Sequence, residues 1–432
     1  MGKSFRHHEY NFISEQERAA RQFQMGNSGR MKAARKQDNG SGQEFRSSVK
    51  EAHGFPYGTL IVPRMKITKV EAVAVSIPLE TAVSDAVRRI THRDHLMVHI
   101  HTACGLIGTG FTLGYDSSLA MVSMIDTIFR PMLAGANPLA SEWLWGEMYR
   151  QSIQAGRRGA GLRAISAIDI ALWDIRGKAA KMSISELLGI HSTKLRCYAT
   201  GGYYREGQTL EELAREYRLY IEKGFDAVKL KVGKLGAAED ARRMRAVRAE
   251  VGDDVDILLD ANGGWPDAPT AIAAMRRLEE YRPFWIEEPV RADNLAAMAR
   301  IAEALDVPVA TGELEATRWA FHQITELRAA DILQPDATVC GGVTEWLKIA
   351  HMAAAMDIPI APHYNWDIHT QLSSAIPNHC ITEYFVRESG VKLFDELLAN
   401  PIYPEKGMLT PRSGHGFGIE YIGAQIEKYR IG

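Results

Sequence analysis

The sequence predicts an α/β fold: a (β/α) barrel of modified TIM type, capped by an α+β N-terminal domain. Three observations carry that prediction. From about residue 195, eight short apolar runs follow one another, the early ones separated by amphipathic helical stretches; regular βα alternation marks a parallel sheet, and eight units close it into a barrel. Ahead of them, strand-like runs come first and helical runs second, which is the α+β order. Most of the later apolar runs also end on an acid or a histidine, one βα unit apart. An open doubly wound sheet is the alternative, but no GxGxxG follows a strand to support a dinucleotide fold.

Taken in order, residues 1–64 read as a flexible polar extension. The stretch GNSGRMKAARKQDNGSGQEFRSS lacks the apolar residues a core needs. Glu15, Glu17, Asp38 and Glu44 make it a poor transit peptide. Residues 65–190 form the expected capping domain. The strand-like runs ITKVEAVAVSI, HLMVHIHT and GLIGTGFTL are joined by polar, turn-rich segments, then MVSMIDTIFRPML and GLRAISAIDIALWDIRGKAAKMSISELLG take up helical spacing. The segment 401–432 is expected to complete this domain, with the barrel over 191–400. Its strands are LRCYAT, DAVKLKV, DILLDA, FWIEEP, VPVATGE, DILQPDA, IPIAPHY and CITEYF.

Composition narrows the function classes. With 46% hydrophobic residues the chain has ample material for a core, and a net charge of −2 gives no field for nucleic acid or an anionic membrane. An acidic substrate must then be recognised locally. The four cysteines, Cys104, Cys197, Cys340 and Cys380, lack CxxC spacing, which suits a reducing cytoplasm and disfavours a zinc site. No apolar run reaches the length of a membrane span.

In a barrel enzyme the chemistry sits at the C-terminal ends of the strands. Asp260, Glu287, Glu313, Asp336 and His363 each close a strand candidate, at successive spacings of 27, 26, 23 and 27 residues. A single such group is more often a loop-solvating or helix-capping residue; five in register place a ring of functional groups on one rim. Asp260, Glu287 and Glu313 form an all-oxygen cluster whose mutual repulsion a hard divalent cation relieves, and the open positions suit Mg²⁺. Asn262 is placed to support Asp260, and Glu288, facing the other way on its strand, to support a ligand or the fold.

Lys229 and Lys231 lie two apart on one strand and so share the barrel interior. Two buried ammonium groups, beside a cation, are expected to depress one another's pKa until one can serve as a general base. Asp336 and His363 end adjacent strands, where the carboxylate can hold one ring nitrogen, set the tautomer and raise the pKa. Glu383, in the eighth run, is positioned either to bond the substrate carboxylate or as an ordinary loop acid.

This set resembles the mandelate racemase subgroup of the enolase superfamily. The likeness rests on KLK, on LLDAN, WIEEP and ATGE, on the pair QPDA and APH, and on the cap segments MKITKVEAVAVSIP and AIDIALWDIRGKAAKMSISELLG. It covers residues 65–432 and implies an enolase-like barrel. By that resemblance Lys229 neutralises the substrate carboxylate, Lys231 is one base, and His363 with Asp336 is the opposite acid/base. Mg²⁺ on Asp260, Glu287 and Glu313, together with Glu383, stabilises the enediolate. PLETAVSDA, the IEEP–ATGE–QPDA–APH run and the GGY after the first barrel strand are most similar to acid-sugar dehydratases, the L-talarate/galactarate dehydratases in particular. The loop ETAVSDAVRRITHRDH, with Ser84, Asp85, Arg88, Arg89, Thr91, His92, Arg93 and His95, is polar enough to bind hydroxyls or a second carboxylate.

The expected reaction is therefore removal of the proton α to a carboxylate and loss of the β-hydroxyl, giving a 2-keto-3-deoxy acid. A racemase or epimerase of a 2-hydroxy acid is the alternative on the same fold, and a non-catalytic metabolite-binding protein the alternative of another class. The expected partners are a small sugar-acid substrate and further copies of the chain in a homo-oligomer, with neither nucleic acid nor membrane.

Overall fold

The computed structural model describes residues 65–432, so the expectation for 1–64 lies outside the described residues. The chain begins with three antiparallel strands, β1 (Ile67–Ser84), β2 (Arg89–Thr102) and β3 (Ile107–Leu113), in the order β1-β2-β3. Helices α1 (Ser118–Met124), α2 (Ser141–Gly156) and α3 (Ala160–Ala180) follow. Helix α3 is buried along most of its length, Arg163, Asp169 and Asp174 included, as a helix sandwiched between layers must be. It lies so close to β3 that a Cβ on Gly110 would sit 2.0 Å from the Ala167 carbonyl oxygen. Only glycine permits that approach.

The polar segment expected as a loop between the first two strands is largely a hairpin. β1 runs on past Pro78, through a register shift, to Ser84, and β2 starts at Arg89. Its turn is closed by Asp85, whose Oδ1 accepts from the Val87 and Arg88 amides. The charged residues hid the strand because alternation breaks at the shift between Pro78 and Val83.

The barrel strands are β4 (Leu195–Gly201), β5 (Ala227–Lys231), β6 (Asp256–Asp260), β7 (Pro283–Glu287), β8 (Val309–Thr311), β9 (Ile332–Leu333) and β10 (Thr382–Tyr384). They pair in parallel in the order β10-β4-β5-β6-β7-β8-β9. The seventh expected strand, IPIAPHY, shrinks to single bridges from Ile360 to Leu333 and to His379, which close the ring. Pro359 and Pro362 flank Ile360, and a proline has no amide to give a ladder. Near the C-terminus β11 (Met408–Leu409) pairs antiparallel with β4, and β12 (Arg430–Ile431) pairs antiparallel with β1. No helix among the described residues is long and apolar enough to cross a membrane.

Alternation along each strand builds the site. Tyr198, Ala227, Leu258, Trp285 and Ile381 pack together as an apolar plug. Two residues further along the same strands, on the same face, stand Thr200, Lys229, Asp260, Glu287 and Glu383. One interior face thus changes from apolar to charged within a single step of the pleat.

Candidate active site

The charged layer is tightly knit. Lys231 Nζ lies 2.5 Å from Asp260 Oδ2, and Lys229 Nζ lies 2.6 Å from Glu383 Oε1, 3.2 Å from both Glu287 oxygens and 3.4 Å from Asp260 Oδ2. Asp260, Glu287 and Glu313 are buried, and each offers an oxygen within 4.8 Å of the other two. Register explains this: Lys231, Asp260 and Glu287 are lateral neighbours on β5, β6 and β7.

The electrostatics correct one expectation. Burial pushes both lysines toward the neutral form, and Lys229 also pushes Lys231 that way, but the carboxylates outweigh both effects. Glu287 and Glu383 hold Lys229, and Asp260 holds Lys231, well above the usual lysine range. The lowering of Lys231 by Lys229 is smaller than the pull of Asp260, because the ammonium sits against a carboxylate that like charge alone does not anticipate. Burial raises Asp260, yet Lys231 and Lys229 hold it well below the carboxylate range. Glu287 goes the other way: burial and then the Asp260 charge push it well up, toward protonation. Three buried carboxylates that cannot all stay ionised match the donor chemistry of a hard divalent cation.

Glu288 also departs from expectation. The strand ends at Glu287, and Glu288 adopts φ +39, so alternation no longer sets its direction. It is buried, and burial, then the Glu313 and Asp260 charges, push its carboxyl up. Asn262 supports Asp260 through its backbone, its amide donating to Oδ1 at 2.9 Å.

Across the rim, His363 Nδ1 pairs with Asp336 Oδ2 at 3.0 Å, while its Nε2 lies 3.4 Å from Glu313 and 3.9 Å from Glu383. Burial disfavours the charged ring, but Glu313, the Asp336 hydrogen bond and Glu383 raise it to about 9. Asp336 is itself fixed, accepting from the Thr338 amide at 2.7 Å and the Asn365 amide group at 3.1 Å. Glu383 links the two sides: it also accepts from Thr200 Oγ1 at 2.7 Å and the Tyr364 amide at 2.8 Å. Burial raises Glu383, but Lys229 and then His363 hold it at about 2.

All eight residues expected at the site therefore meet on one rim. Others, which strand-end spacing could not find, come from the cap and from the loop after β4. Arg93 is buried, with its guanidinium carbon 5.6 Å from the Tyr364 ring; its Nε donates to the Val391 carbonyl, and its Nη2 has no partner. Arg163, at the start of α3, is buried 4.8 Å from the Tyr115 ring, and Arg88 lies 4.9 Å from the same ring. Tyr203 stands 4.9 Å from Lys231. The polar hairpin sorts its side chains: Arg88 and Arg93 join this arc, whereas His95 is buried against Phe394, and burial lowers it to about 3. Ser84 and Tyr204 exchange both backbone bonds, at 2.9 and 2.8 Å, docking the hairpin on the loop after β4.

Residues 66–189 match the mandelate racemase/muconate lactonizing enzyme N-terminal domain, and residues 211–424 match the enolase C-terminal domain-like family. The chain belongs to the mandelate racemase/muconate lactonizing enzyme subgroup of the enolase superfamily. Among its relatives in this subgroup, an arabinonate dehydratase of Saccharolobus solfataricus is 37% identical over 338 residues, spanning 77% of this chain and 89% of that one. An L-talarate/galactarate dehydratase of Salmonella typhimurium is 33% identical over 360 residues, 81% of this chain and 89% of that one. A crystal structure of that dehydratase, liganded with Mg and L-lyxarohydroxamate, superposes with a TM-score of 0.80 at 31% identity, covering 88% and 96% of the two chains. Asp260, Glu287 and Glu313 fit the Mg²⁺ site of this enolase-superfamily fold.

Proposed function

We propose that the protein is a Mg²⁺-dependent acid-sugar dehydratase acting on a diacid of the talarate/galactarate type. The observation that carries this reading is the placement of Lys231 and His363 on different sides of one carboxylate cluster, each held by its own acid. In this reading Asp260, Glu287 and Glu313 hold Mg²⁺, and the cation supplies positive charge beside the substrate carboxylate and offsets the acids that keep Lys231 protonated. Lys229, bonded to Glu287 and Glu383, provides a second fixed positive charge for that carboxylate. Lys231, as the free amine, takes the proton from the carbon next to the carboxylate. His363, protonated and oriented by Asp336, gives its proton to the hydroxyl on the next carbon, which leaves as water. The resulting enol tautomerises to the 2-keto-3-deoxy acid, so the net change is loss of one water.

The diacid preference is drawn from the cap. Arg93 and Arg163 are 5% and 7% exposed, and among the described residues neither has a carboxylate within salt-bridge distance. A buried guanidinium without a counter-ion is costly, and a second substrate carboxylate satisfies it. Polar Arg88, Tyr115 and Tyr203 suit a hydroxylated chain better than an apolar 2-hydroxy acid. The reading extends to a homo-oligomer in a reducing, cytoplasmic setting, supported by half-exposed Trp143 and Trp319 and by four free cysteines; light scattering tests the former.

The decisive test is a panel of mono- and diacid sugars incubated with Mg²⁺ and assayed with semicarbazide. Keto-acid formation from a diacid supports the reading. Exchange of the α-proton in deuterium oxide without keto acid would instead support racemisation, which two separately held proton carriers also permit. Tight binding without turnover across the panel would support a metabolite-binding protein.

A further inference from the structure

On the opposite face of β2 from Arg93, His92 and Asp94 stand two residues apart and so point the same way. The loop after β3 brings Asp116 to them. That loop closes because residue 114 is glycine: a Cβ there would lie 2.7 Å from Asp94 Cβ. Tyr115 and Asp116 then both take left-handed backbone, at φ +45 and +62, a conformation that costs free energy in non-glycine residues. The outcome is three ligand-type atoms, His92 Nε2, Asp94 Oδ1 and Asp116 Oδ1, within 4.8 Å of one another.

An ordinary ion pair accounts for only part of this arrangement. His92 Nε2 lies 2.7 Å from Asp116 Oδ1 and 3.4 Å from Asp94 Oδ1. One ring N–H satisfies one carboxylate, and it goes to Asp116. Asp94 is only 7% exposed, and its Oδ1 is buried, aimed at the same nitrogen and without a hydrogen-bond partner. The other ring nitrogen is already engaged: Nδ1 lies 3.0 Å from Thr91 Oγ1, the kind of contact that orients a metal-bound imidazole. Arg88, which lies against the Tyr115 ring, is bound by Asp85 Oδ2 at 2.9 and 3.1 Å.

We propose that His92, Asp94 and Asp116 form a second cation site, taking a borderline divalent ion of the Zn²⁺ class. One imidazole and two carboxylates are a donor set for such an ion, whereas the all-oxygen triad of the barrel suits Mg²⁺. Ligand atoms around tetrahedral Zn²⁺ stand about 3.3 Å apart. The His92–Asp94 separation of 3.4 Å already meets that distance, and Asp116, 81% exposed at its side chain, is free to open to it. The bound ion replaces the shared proton and satisfies Asp94. It also ties β2 to the loop carrying Tyr115, against which Arg88 and Arg163 lie, so the site would stiffen one wall of the arginine arc.

The test is Zn²⁺ titration of the full chain, saturated with Mg²⁺, by calorimetry, with Co²⁺ absorption as a second readout. One Zn²⁺ equivalent is expected in the parent, bound at least tenfold more weakly by His92→Gln and by Asp94→Asn, and unchanged in Glu313→Gln. His92 is partly exposed, so its variant keeps the test meaningful even where the Asp94 variant fails to fold. Equal binding by the parent and His92→Gln, no Zn²⁺ bound at all, or loss of binding in Glu313→Gln would each overturn the proposal and leave an ordinary ion pair.

Discussion

Lys231 Nζ and Asp260 Oδ2 lie 2.5 Å apart on neighbouring parallel strands, at matched register. The proposed base is thus held by a proposed metal ligand, and its proton affinity depends on where that ligand's charge is directed. Lys231→Ala is expected to lower kcat about 10³-fold, the scale of a lost general base, with little change in melting temperature. Turnover within tenfold of the parent would remove Lys231 from the mechanism.

The carboxylate cluster should be more stable with its cation than without. A ligand that binds only the folded state at about 100 times its Kd adds about 2.7 kcal/mol. EDTA is expected to abolish turnover and lower the melting temperature, with Mg²⁺ restoring both. In Glu313→Gln the Mg²⁺-dependent shift in melting temperature should shrink or vanish. A parent protein whose melting curve ignores Mg²⁺ would count against the triad.

His363 sets a pH dependence that can be measured without substrate. Its folded-state value is raised from 6.5 to about 9, chiefly by Glu313 and Asp336 acting against burial. A raised value means the stabilisation is fully present below pH 6.5 and is lost as pH rises through about 9. The contribution is on the order of 3 kcal/mol. Denaturant titrations in EDTA should show the parent losing more stability than His363→Gln between pH 6.5 and 9. Parallel curves would show that the ring is not held charged.

Arg93 has an unpartnered Nη2 that a second carboxylate could fill. Arg93→Met is expected to reduce kcat/KM for a diacid sugar about 10- to 100-fold, the loss of a charged hydrogen bond, while leaving a monoacid sugar nearly unaffected. An equal loss on both substrates would assign Arg93 to the scaffold.

Gly110 lets α3 approach β3. Gly110→Ala forces the two apart, and overpacking of this kind costs about 1–3 kcal/mol. A lower melting temperature with kcat nearly unchanged at low temperature is the expected outcome.

Much of this architecture was legible in the chain because barrel chemistry follows a simple rule. Strand ends recur at one βα unit, so Asp260, Glu287, Glu313, Asp336 and His363 announced themselves by spacing, and KLK by its parity. The rule falters where backbone chemistry intervenes. Pro359 and Pro362 reduce the seventh strand to one bridging residue, and the left-handed turn at Glu288 cancels the alternation that would direct it away. Arg163 carries no signal of its own, since it ends no barrel strand, and Arg93 stands only as one of eight polar residues in a loop able to bind a second carboxylate; the packing of cap on barrel is what brings the two near Tyr115 and Tyr364. The direction of the lysine shift was likewise a matter of distance. Sequence shows two like charges, whereas the fold places each of them against carboxylates.

The central claim, that Lys231 and His363 jointly remove a proton and a hydroxyl from one acid sugar, is tested most directly by keto-acid formation in single variants. The parent with Mg²⁺ and a diacid of the talarate/galactarate type should form keto acid in step with substrate lost, and Lys231→Ala and His363→Ala, folded and metal-loaded, should each form almost none. Keto-acid formation by either variant within tenfold of the parent would contradict the account.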